Sequence, residues 1–370
     1  MSWSHSRRIL AVRLDALGDV LMTTPALDAL GRLGDGIEVT LLTSTAGAQA
    51  AALLPMVNEV IAYDAPWLKA EPSAGSPPDA AMIERLRAGG FEAAAIFTVY
   101  TQSALPAALL CHLAGIPLRL AHSRENPYRL LTDWVVDPEP DRVVRHEVRR
   151  QLDLVAAVGA EAGDRPLTAV VPQVARRRAP AVLAKCGLLL EAPWVLVHPG
   201  ASAPSRRYPE ERFAELTAAL VRRGLQVVFS GSSSEVELVE RIRRSADVPS
   251  LSVAGELSVA ELAAVVERAP VLVSNNTAPV HLAAALQTPV VVLYALTNPQ
   301  HTPWMVANRV LAHDVPCRFC YKSVCPEGHH RCLRAVDVVT VEEAVLDLLS
   351  GGAAVEPELL ARGLGSRPRH

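Results

Sequence analysis

The residues best suited to binding a ligand follow an apolar stretch late in the chain. Residues 271–294 read VLVSNNTAPVHLAAALQTPVVVLY, which predicts a strand, a short polar turn, a helix of small residues and a second strand. Asn276, Thr277 and His281 lie at the start of that helix, where N–H groups and the helix dipole favour a phosphate. We therefore predict an anion site. The alternative is a capped helix start, with Pro279 as an ordinary opener and His281 as a hydrogen-bonded core residue.

A second polar loop could stabilise a leaving diphosphate. The segment HPGASAPSRRYP places Gly200, Ala201 and Ser202 directly after a predicted strand. Ala201 and Ser202 can present N–H and hydroxyl donors to a phosphate, and Arg206 or Arg207 can neutralise the negative charge that grows on a departing group. The alternative is a proline-rich surface loop whose arginines are solvated. The loop predicts stabilisation of a leaving group without a metal ion.

Near the N-terminus, two aspartates follow the first predicted strand. In RLDALGDVLMTTP, Gly18 permits a tight turn and Asp19 begins a helix. Transfer of a group to a hydroxyl needs a general base, such as a carboxylate, beside that hydroxyl. The spacing favours Asp15 and Asp19 equally for this role. The alternative is that an acid at a helix start only complements the helix dipole. We assign Arg13, Gly18 and Thr24 of this loop to binding the molecule that carries the hydroxyl.

Four of the six cysteines form a cluster in sequence. Two histidines, His329 and His330, lie between its last two members, so the segment holds enough ligands for a tetrahedral zinc site. We favour a structural staple, zinc-bound or reduced, over a catalytic role. The members of this cysteine cluster are Cys317, Cys320, Cys325 and Cys332.

Strands and helices alternate through both halves of the chain, which predicts an α/β protein with parallel, doubly wound sheets covered on both faces. The pattern decays over residues 160–180, so we place the domain boundary there and predict domains over 1–170 and 171–350. Thr340 and Glu343 are predicted to form a capping box for a last helix over 341–350. Residues 351–370 are predicted to be a disordered tail.

Composition narrows the class of protein. At 370 residues and 50% hydrophobic content the chain can form two cores, and its net charge of −3 with scattered basic residues gives no nucleic-acid footprint. The N-terminal segment reaches Asp15 and Asp19 before an apolar core of signal length forms, and no stretch has the roughly 20 apolar residues of a membrane span. We expect a cytoplasmic protein. An apolar helix over 103–115 is expected to be buried, or to face a membrane.

Five segments, in this order, resemble glycosyltransferase family 9, the ADP-heptose:lipopolysaccharide heptosyltransferases. They are RLDALGDVLMTTPAL, VLVHPGASAPSRRYPEERFAEL, VVFSGSSSEVELV, VAGELSVAELAAVVERAPVLVSNNTAPVHLAAALQTPVVVLY and CRFCYKSVCPEGHHRC. The resemblance implies a GT-B fold, in which two Rossmann-like domains face a central cleft. It makes residues 1–170 the acceptor-binding domain and 171–350 the nucleotide-sugar domain. It also implies an inverting transfer with no obligatory metal.

The resemblance assigns roles to individual residues. The family's Gly-Asp pair falls on Gly18 and Asp19, which makes Asp19 the expected base on the acceptor hydroxyl. The family's usual lysine before an aromatic-Pro pair is replaced by Arg206, which keeps the charge. Leu257 falls where the family packs the nucleobase, and Glu235 near a ribose-binding acid, unless it only caps a helix. The expected donor-binding residues are Ala201, Ser202, Glu235, Leu257, Asn276, Thr277, Ala278 and His281.

Two departures from the family's Asp-Thr/Ser-Gly-x-x-His loop bear on the donor. Asn276 replaces an Asp that contacts the donor sugar, and Ala278 replaces a Gly whose backbone approaches the diphosphate. A neutral amide offers a different donor and acceptor pattern to a sugar hydroxyl.

We expect transfer of a heptose-like sugar, with ADP-heptose as the first choice of donor, to a saccharide or lipopolysaccharide-core acceptor. The expected enzyme is cytoplasmic or peripheral to the inner membrane. The alternatives are the same fold with another nucleotide sugar, a hexose or deoxy sugar, and a binding protein without transfer activity.

Overall fold

The computed structural model describes residues 2–68, 79–161 and 163–353, which form two compact units. The first unit extends to Val170, and the second begins at Val171. Most of the predicted tail, residues 354–370, lies outside the described residues.

The first unit is built on a six-stranded parallel sheet. The strand order is β3-β2-β1-β4-β5-β6, so the chain winds outward from β1 in both directions. Alternate residues of β1 enter two different cores, with Leu10 and Val12 in one and Ile9 and Ala11 in the other. Both faces of this sheet are therefore covered. The strands are β1 (Arg8–Arg13), β2 (Glu38–Thr43), β3 (Glu59–Ala62), β4 (Ala93–Ile96), β5 (Leu118–Ser123) and β6 (Asp133–Val136), and the helices are α1 (Leu17–Gly31), α2 (Thr45–Ala48), α3 (Asp79–Ala88), α4 (Leu105–Leu113) and α5 (Glu147–Ala156).

The second unit repeats this topology. Its parallel sheet has the order β12-β11-β10-β7-β8-β9, which becomes the order of the first sheet when its strands are counted from β7. The predicted α/β class with two doubly wound sheets is confirmed. The strands are β7 (Trp194–His198), β8 (Gln226–Phe229), β9 (Leu251–Ser252), β10 (Leu272–Asn275), β11 (Val290–Leu293) and β12 (Asn308–Leu311). The helices are α6 (Gln173–Lys185), α7 (Glu210–Arg222), α8 (Val236–Ala246), α9 (Val259–Arg268), α10 (Ala278–Leu286), α11 (Arg331–Arg334) and α12 (Val338–Leu349).

This topology determines where polar loops meet. In a doubly wound sheet, ligands bind beyond the carboxyl ends of the strands at the point where the winding direction reverses. That point lies between β1 and β4 in the first sheet and between β7 and β10 in the second. Most of the ligand-binding residues that the sequence predicts lie at or after the ends of β1, β7 and β10, whereas Glu235 and Leu257 follow β8 and β9.

Two local predictions are wrong. The last helix begins at Val338, and its N-cap is Asp337, whose carboxylate accepts from the Val339 N–H at 3.1 Å. Thr340 lies inside that helix, because the aspartate supplies a cap one turn earlier. The segment over 160–180 is also less irregular than expected, since α6 begins at Gln173 and contains Pro180.

Among the described residues, no helix is long and apolar enough to cross a membrane. Helix α4, which falls within the predicted apolar helix, buries Ala107, Ala108 and Leu110. Its Leu109 and Leu113 are 44% and 47% exposed, so one face of this helix remains apolar and accessible.

Candidate functional site

A fully buried guanidinium organises the loop after β1. Arg13 lies with its Nη1 at 2.9 Å from Glu147 Oε1, its Nη2 at 3.2 Å from Asp19 Oδ1 and its Nε at 3.0 Å from Asp15 Oδ2. Glu147 has no exposed side-chain surface either and comes from the start of α5. We call Arg13, Asp15, Asp19 and Glu147 the Arg13 cluster.

The charges of this cluster stabilise one another. Burial acts to lower the pKa of Arg13, but the three carboxylates outweigh it, so the pKa lies above its usual range. Burial raises the pKa of Glu147 and of Asp15, and Arg13 opposes both shifts. A charge this deeply buried is tolerated only when it is paired.

Asp19 is the cluster carboxylate with the most exposed side chain, at 23% compared with 16% for Asp15. It lies in the first turn of α1 and accepts a hydrogen bond from the Ala16 N–H at 3.2 Å. Asp19 therefore also stabilises the start of α1, which is the alternative role predicted from the sequence. A capping carboxylate fixed by Arg13 and still accessible to solvent is suitably placed to accept a proton.

The residues assigned to acceptor binding on the same loop lie deeper than expected. The Arg13 side chain is fully buried against carboxylates, so as placed it orients Asp19 and has no exposed surface. Thr24 is also fully buried; its hydroxyl donates to the Leu21 carbonyl and accepts from the Thr168 N–H. Gly18 is buried in the first turn of α1. Sequence spacing cannot show that such polar residues point into the unit.

In the second unit, α10 presents its N-terminus directly after β10. Thr277 is the N-cap residue, but its side chain makes no cap hydrogen bond, and its hydroxyl donates to the Asn275 carbonyl at 3.3 Å. Asn276 is buried, and neither polar atom of its carboxamide makes a hydrogen bond of normal geometry within the described residues. Ala278 opens the helix, and His281 is buried one turn further along. The helix start can therefore accept an anion, and the Asn276 amide can bind a polar group.

The two adjacent arginines after β7 differ in their surroundings. Arg207 donates from Nε to the Ala201 carbonyl at 2.8 Å and thereby braces the loop. The partly buried Arg206 ends a 3-10 turn, and its guanidinium makes no hydrogen bond or ion pair with any described residue. Burial raises the pKa of the Tyr294 hydroxyl, and the nearby Arg206 and Asn276 side chains oppose part of that rise. Arg206 and Asn276 therefore both lie close enough to Tyr294, the residue that follows β11, to influence its hydroxyl.

Asn275, the last residue of β10, connects the two ligand loops. Its Oδ1 accepts from the Tyr208 N–H at 3.0 Å, and its Nδ2 donates to the Pro199 carbonyl at 2.7 Å. The side chain is fully buried. Sequence reasoning assigned no structural role to this amide; the only available signal is an amide residue that ends an otherwise apolar strand.

Other expected donor-binding residues are near these loops. Glu235 accepts from the Ser232 N–H at 2.7 Å and lies 3.8 Å from His198 Nε2, so it caps a 3-10 turn and also lies beside the β7 loop. A Cβ on Gly200 would meet the Glu235 carboxylate, so the Glu235 side chain packs directly against this glycine. Ser202 is exposed, Ala201 is buried and Leu257 is partly buried in the loop before α9.

The cysteine segment contacts the Arg206 turn through its backbone. The Ser205 N–H donates to the Ser323 carbonyl at 3.0 Å, and the Ser205 hydroxyl donates to the Lys322 carbonyl at 2.8 Å. Burial raises the pKa of the Cys317 and Cys332 thiols, and neighbouring cysteines of the cluster raise both further. The segment therefore brings its thiols near one another, and its backbone supports the turn that ends at Arg206.

A metal site is not formed by these side chains as placed. Cys317 Sγ lies 3.7 Å from His329 Nε2, but in the part of the chain that the structure describes no three Cys, His, Asp or Glu side chains are grouped to hold a metal ion. Zinc binding by the cysteine cluster stays a prediction, and no chemical step is derived from it.

The model of glycosyltransferase family 9 (heptosyltransferase) matches residues 80–330, which is more than half of the chain. This chain belongs to glycosyltransferase family 9. It is therefore a glycosyltransferase, and the resemblance inferred from five segments is confirmed. The matched range contains Arg206 and residues 276–281 and begins after Asp19.

Relatives support the same family. The chain is 28% identical to lipopolysaccharide heptosyltransferase 2 of Salmonella typhimurium over 252 residues, covering 66% of this chain and 72% of that protein. It is 28% identical to lipopolysaccharide heptosyltransferase 1 of Pseudomonas aeruginosa over 323 residues, covering 86% and 87%.

Two solved structures share the fold. A family 9 glycosyl transferase from Veillonella parvula has a TM-score of 0.79 at 21% identity, covering 95% of this chain and 98% of its own. The E. coli ADP-heptose lps heptosyltransferase II has a TM-score of 0.72 at 24% identity, covering 93% and 99%.

Replacement of Arg13 should strongly destabilise the first unit of this glycosyltransferase. Arg13→Met leaves the buried Glu147 without its cation, which should lower the free energy of unfolding by about 3–5 kcal/mol. The double variant Arg13→Met/Glu147→Gln should recover part of that loss, because it also removes the charge of the most deeply buried of the three carboxylates. Urea unfolding measures the free energy of unfolding of both variants. Arg32→Met, which breaks an exposed ion pair with Asp28, is the control and should lower that free energy by less than about 1 kcal/mol. No recovery in the double variant would contradict the pairing.

Removal of the Asn275 side chain should destabilise the second unit. Asn275→Ala breaks two buried hydrogen bonds and leaves the Tyr208 N–H and the Pro199 carbonyl unpaired, at about 1–3 kcal/mol each. Thermal and urea unfolding should both show the loss. Gln173→Ala, on an exposed position of α6, is the matched control and should leave the unfolding midpoint unchanged. An Asn275→Ala protein as stable as this control would show that the amide does not join the loops.

Proposed function

We propose that this enzyme transfers a heptose from ADP-heptose, with inversion, to a sugar hydroxyl of a lipopolysaccharide-core acceptor. Family membership supports glycosyl transfer, and relatives that are named lipopolysaccharide heptosyltransferases support the choice of sugar and acceptor. Because such an acceptor is lipid-linked, peripheral association with the inner membrane is part of the proposal. The exposed leucines of α4 support it.

The proposal rests most on two features of the second unit, a guanidinium without an anionic partner and a helix start without a side-chain cap. Arg206 has no anionic partner among the described residues, and Thr277 leaves the first turn of α10 uncapped. Both features favour a diphosphate, one through charge and the other through N–H groups and the helix dipole. As the bond to the sugar breaks, negative charge grows on the departing ADP, and this is the charge that Arg206 would stabilise.

On the acceptor side, Asp19 would remove the proton of the attacking hydroxyl. Inversion needs one base and no covalent intermediate, and Arg13 holds the Asp19 carboxylate in a fixed, partly exposed position. Asp15 and Asp19 each have two partners, but the Asp15 side chain is less exposed, at 16% compared with 23% for Asp19. The geometry therefore favours Asp19 over its neighbour.

Asn276 bears most on the identity of the donor sugar. Its carboxamide can donate to and accept from sugar hydroxyls, whereas the family's carboxylate only accepts. The test is to incubate the purified enzyme with ADP-heptose and a heptose-deficient core oligosaccharide, and to measure ADP release and the product mass. ADP-heptose should give a product one heptose heavier. Transfer from GDP- or UDP-sugars alone would overturn the heptose assignment and keep the fold. Donor binding without transfer to any acceptor would favour the non-catalytic alternative.

The adjacent arginines provide a matched pair for the leaving-group role. Arg206→Ala should lower kcat about 100-fold or more, because it removes the charge on the departing diphosphate. Arg207→Ala should have a much smaller effect on kcat, since Arg207 only braces the Ala201 carbonyl. Steady-state kinetics in the presence of EDTA measure both and also test transfer without a divalent metal. Equal losses in the two variants would contradict a specific role for Arg206.

A further inference from the structure

A cavity of about 270 Å³ lies at the carboxyl edge of the first sheet. Its volume is just below the lower bound of small-molecule pockets, about 300 Å³, so it suits a small ligand such as one sugar ring. The polar residues that line it follow or end β4, β5 and β6, and they are Gln102, Ser103, His122, Ser123, Arg124, Glu125 and Asp137.

His122 is the lining residue with an unmet hydrogen-bonding need. It is 5% exposed, and its Nε2 lies 3.2 Å from the Arg150 carbonyl oxygen. A carbonyl only accepts, so Nε2 carries the proton and Nδ1 of the neutral ring is an acceptor. Burial, assisted by the Arg150 cation, lowers the pKa of His122 to about 4, which keeps the ring neutral at pH 7. Nδ1 is buried and has no hydrogen-bond partner in the described residues.

The charges around the cavity favour a polyhydroxylated ligand over an anion. Arg124 supplies donors, whereas Glu125 and Asp137 are carboxylates. Asp137 is already paired with Arg150, with Oδ1 and Nη1 2.7 Å apart. Sugar hydroxyls both donate and accept, so they match this mixed lining, and a hydroxyl is the donor that Nδ1 lacks.

The cavity is connected to the proposed base by a chain of contacts within the same unit. Gln102 lines the cavity and donates to Asp15 Oδ1 at 2.8 Å; Asp15 pairs with Arg13, and Arg13 pairs with Asp19. A sugar in this cavity would therefore lie on the same sheet edge as the Arg13 cluster.

We propose that this cavity is a subsite for one sugar ring of the acceptor, and that His122 Nδ1 accepts a hydrogen bond from a ring hydroxyl. The identity of the ligand as acceptor saccharide rests on the proposed function; the hydroxyl-binding chemistry rests on the cavity itself. His122 would contribute to acceptor affinity without taking part in the chemical step.

Two substitutions separate the two ring nitrogens. The amide of His122→Gln reaches the position of Nε2 and can keep the hydrogen bond to Arg150, but it removes the acceptor at Nδ1. His122→Asn places an amide near Nδ1 and loses the bond to Arg150. We would measure binding of deacylated lipopolysaccharide core oligosaccharide, without donor, by saturation-transfer NMR and titration, together with thermal unfolding of each variant.

The subsite predicts that His122→Gln weakens oligosaccharide binding about tenfold, the loss of one hydrogen bond, while its unfolding midpoint stays close to that of the wild type. His122→Asn should lower the midpoint but keep most of the affinity. Equal affinity of wild type and His122→Gln would overturn the subsite and leave the proposed function intact if the wild type still transfers heptose. Failure of the wild type to bind the oligosaccharide would overturn the subsite, and failure to transfer heptose as well would overturn the proposed function.

Discussion

The ion pairing of Arg13 is the interaction on which the loops of the first unit depend. A guanidinium with no exposed surface must have its charge matched, and three carboxylates from different elements supply that match. Asp15 comes from the loop after β1, Asp19 from α1 and Glu147 from α5. Burial of one cation therefore fixes the end of the strand, the start of the helix and a second helix relative to one another. The orientation of Asp19 is a consequence of that requirement.

In the second unit, a neutral side chain connects the corresponding elements. There, the amide of Asn275 joins the loop after β7 to the start of α7, through one donated and one accepted hydrogen bond. No charge has to be buried for this purpose, which leaves Arg206 without an anionic partner among the described residues. An unpaired cation and an uncapped helix start in the same unit suit a ligand that brings two phosphates. The same sheet topology thus supports a carboxylate base in one unit and an anion site in the other.

The sequence was sufficient for the sheet architecture and for the loops that carry the site. Strands β10 and β11 fall within residues 271–294, for which the sequence predicts a strand, a turn, a helix and a second strand, because apolar runs ended by polar turns mark strands buried on both faces. Strand β5 lacks such a pattern: it buries Arg119, whose guanidinium donates to backbone carbonyls, and His122, and these residues interrupt the apolar run. Strand β6 is a short edge strand with no fully buried residue.

Side-chain partners could not be predicted in the same way. Arg13 and Glu147 are 134 positions apart, and Asn275 and Tyr208 are 67 apart, so no local spacing reveals either contact. That is why Arg13 and Thr24 were expected to contact an acceptor, whereas both side chains are buried. Asn276, Thr277 and Arg206 could be proposed from the sequence because a turn after a strand limits where their side chains can lie.

The central claim is that Asp19, held by Arg13, is the base of the transfer reaction. The most direct measurement compares single-turnover rates of Asp19→Asn and Asp15→Asn with saturating ADP-heptose and core acceptor, together with donor binding by calorimetry. We expect Asp19→Asn to slow transfer about 10²–10⁴-fold with unchanged donor affinity, and Asp15→Asn to have a much smaller effect on the transfer rate. A transfer rate for Asp19→Asn close to that of the wild type, or a loss confined to Asp15→Asn, would contradict it.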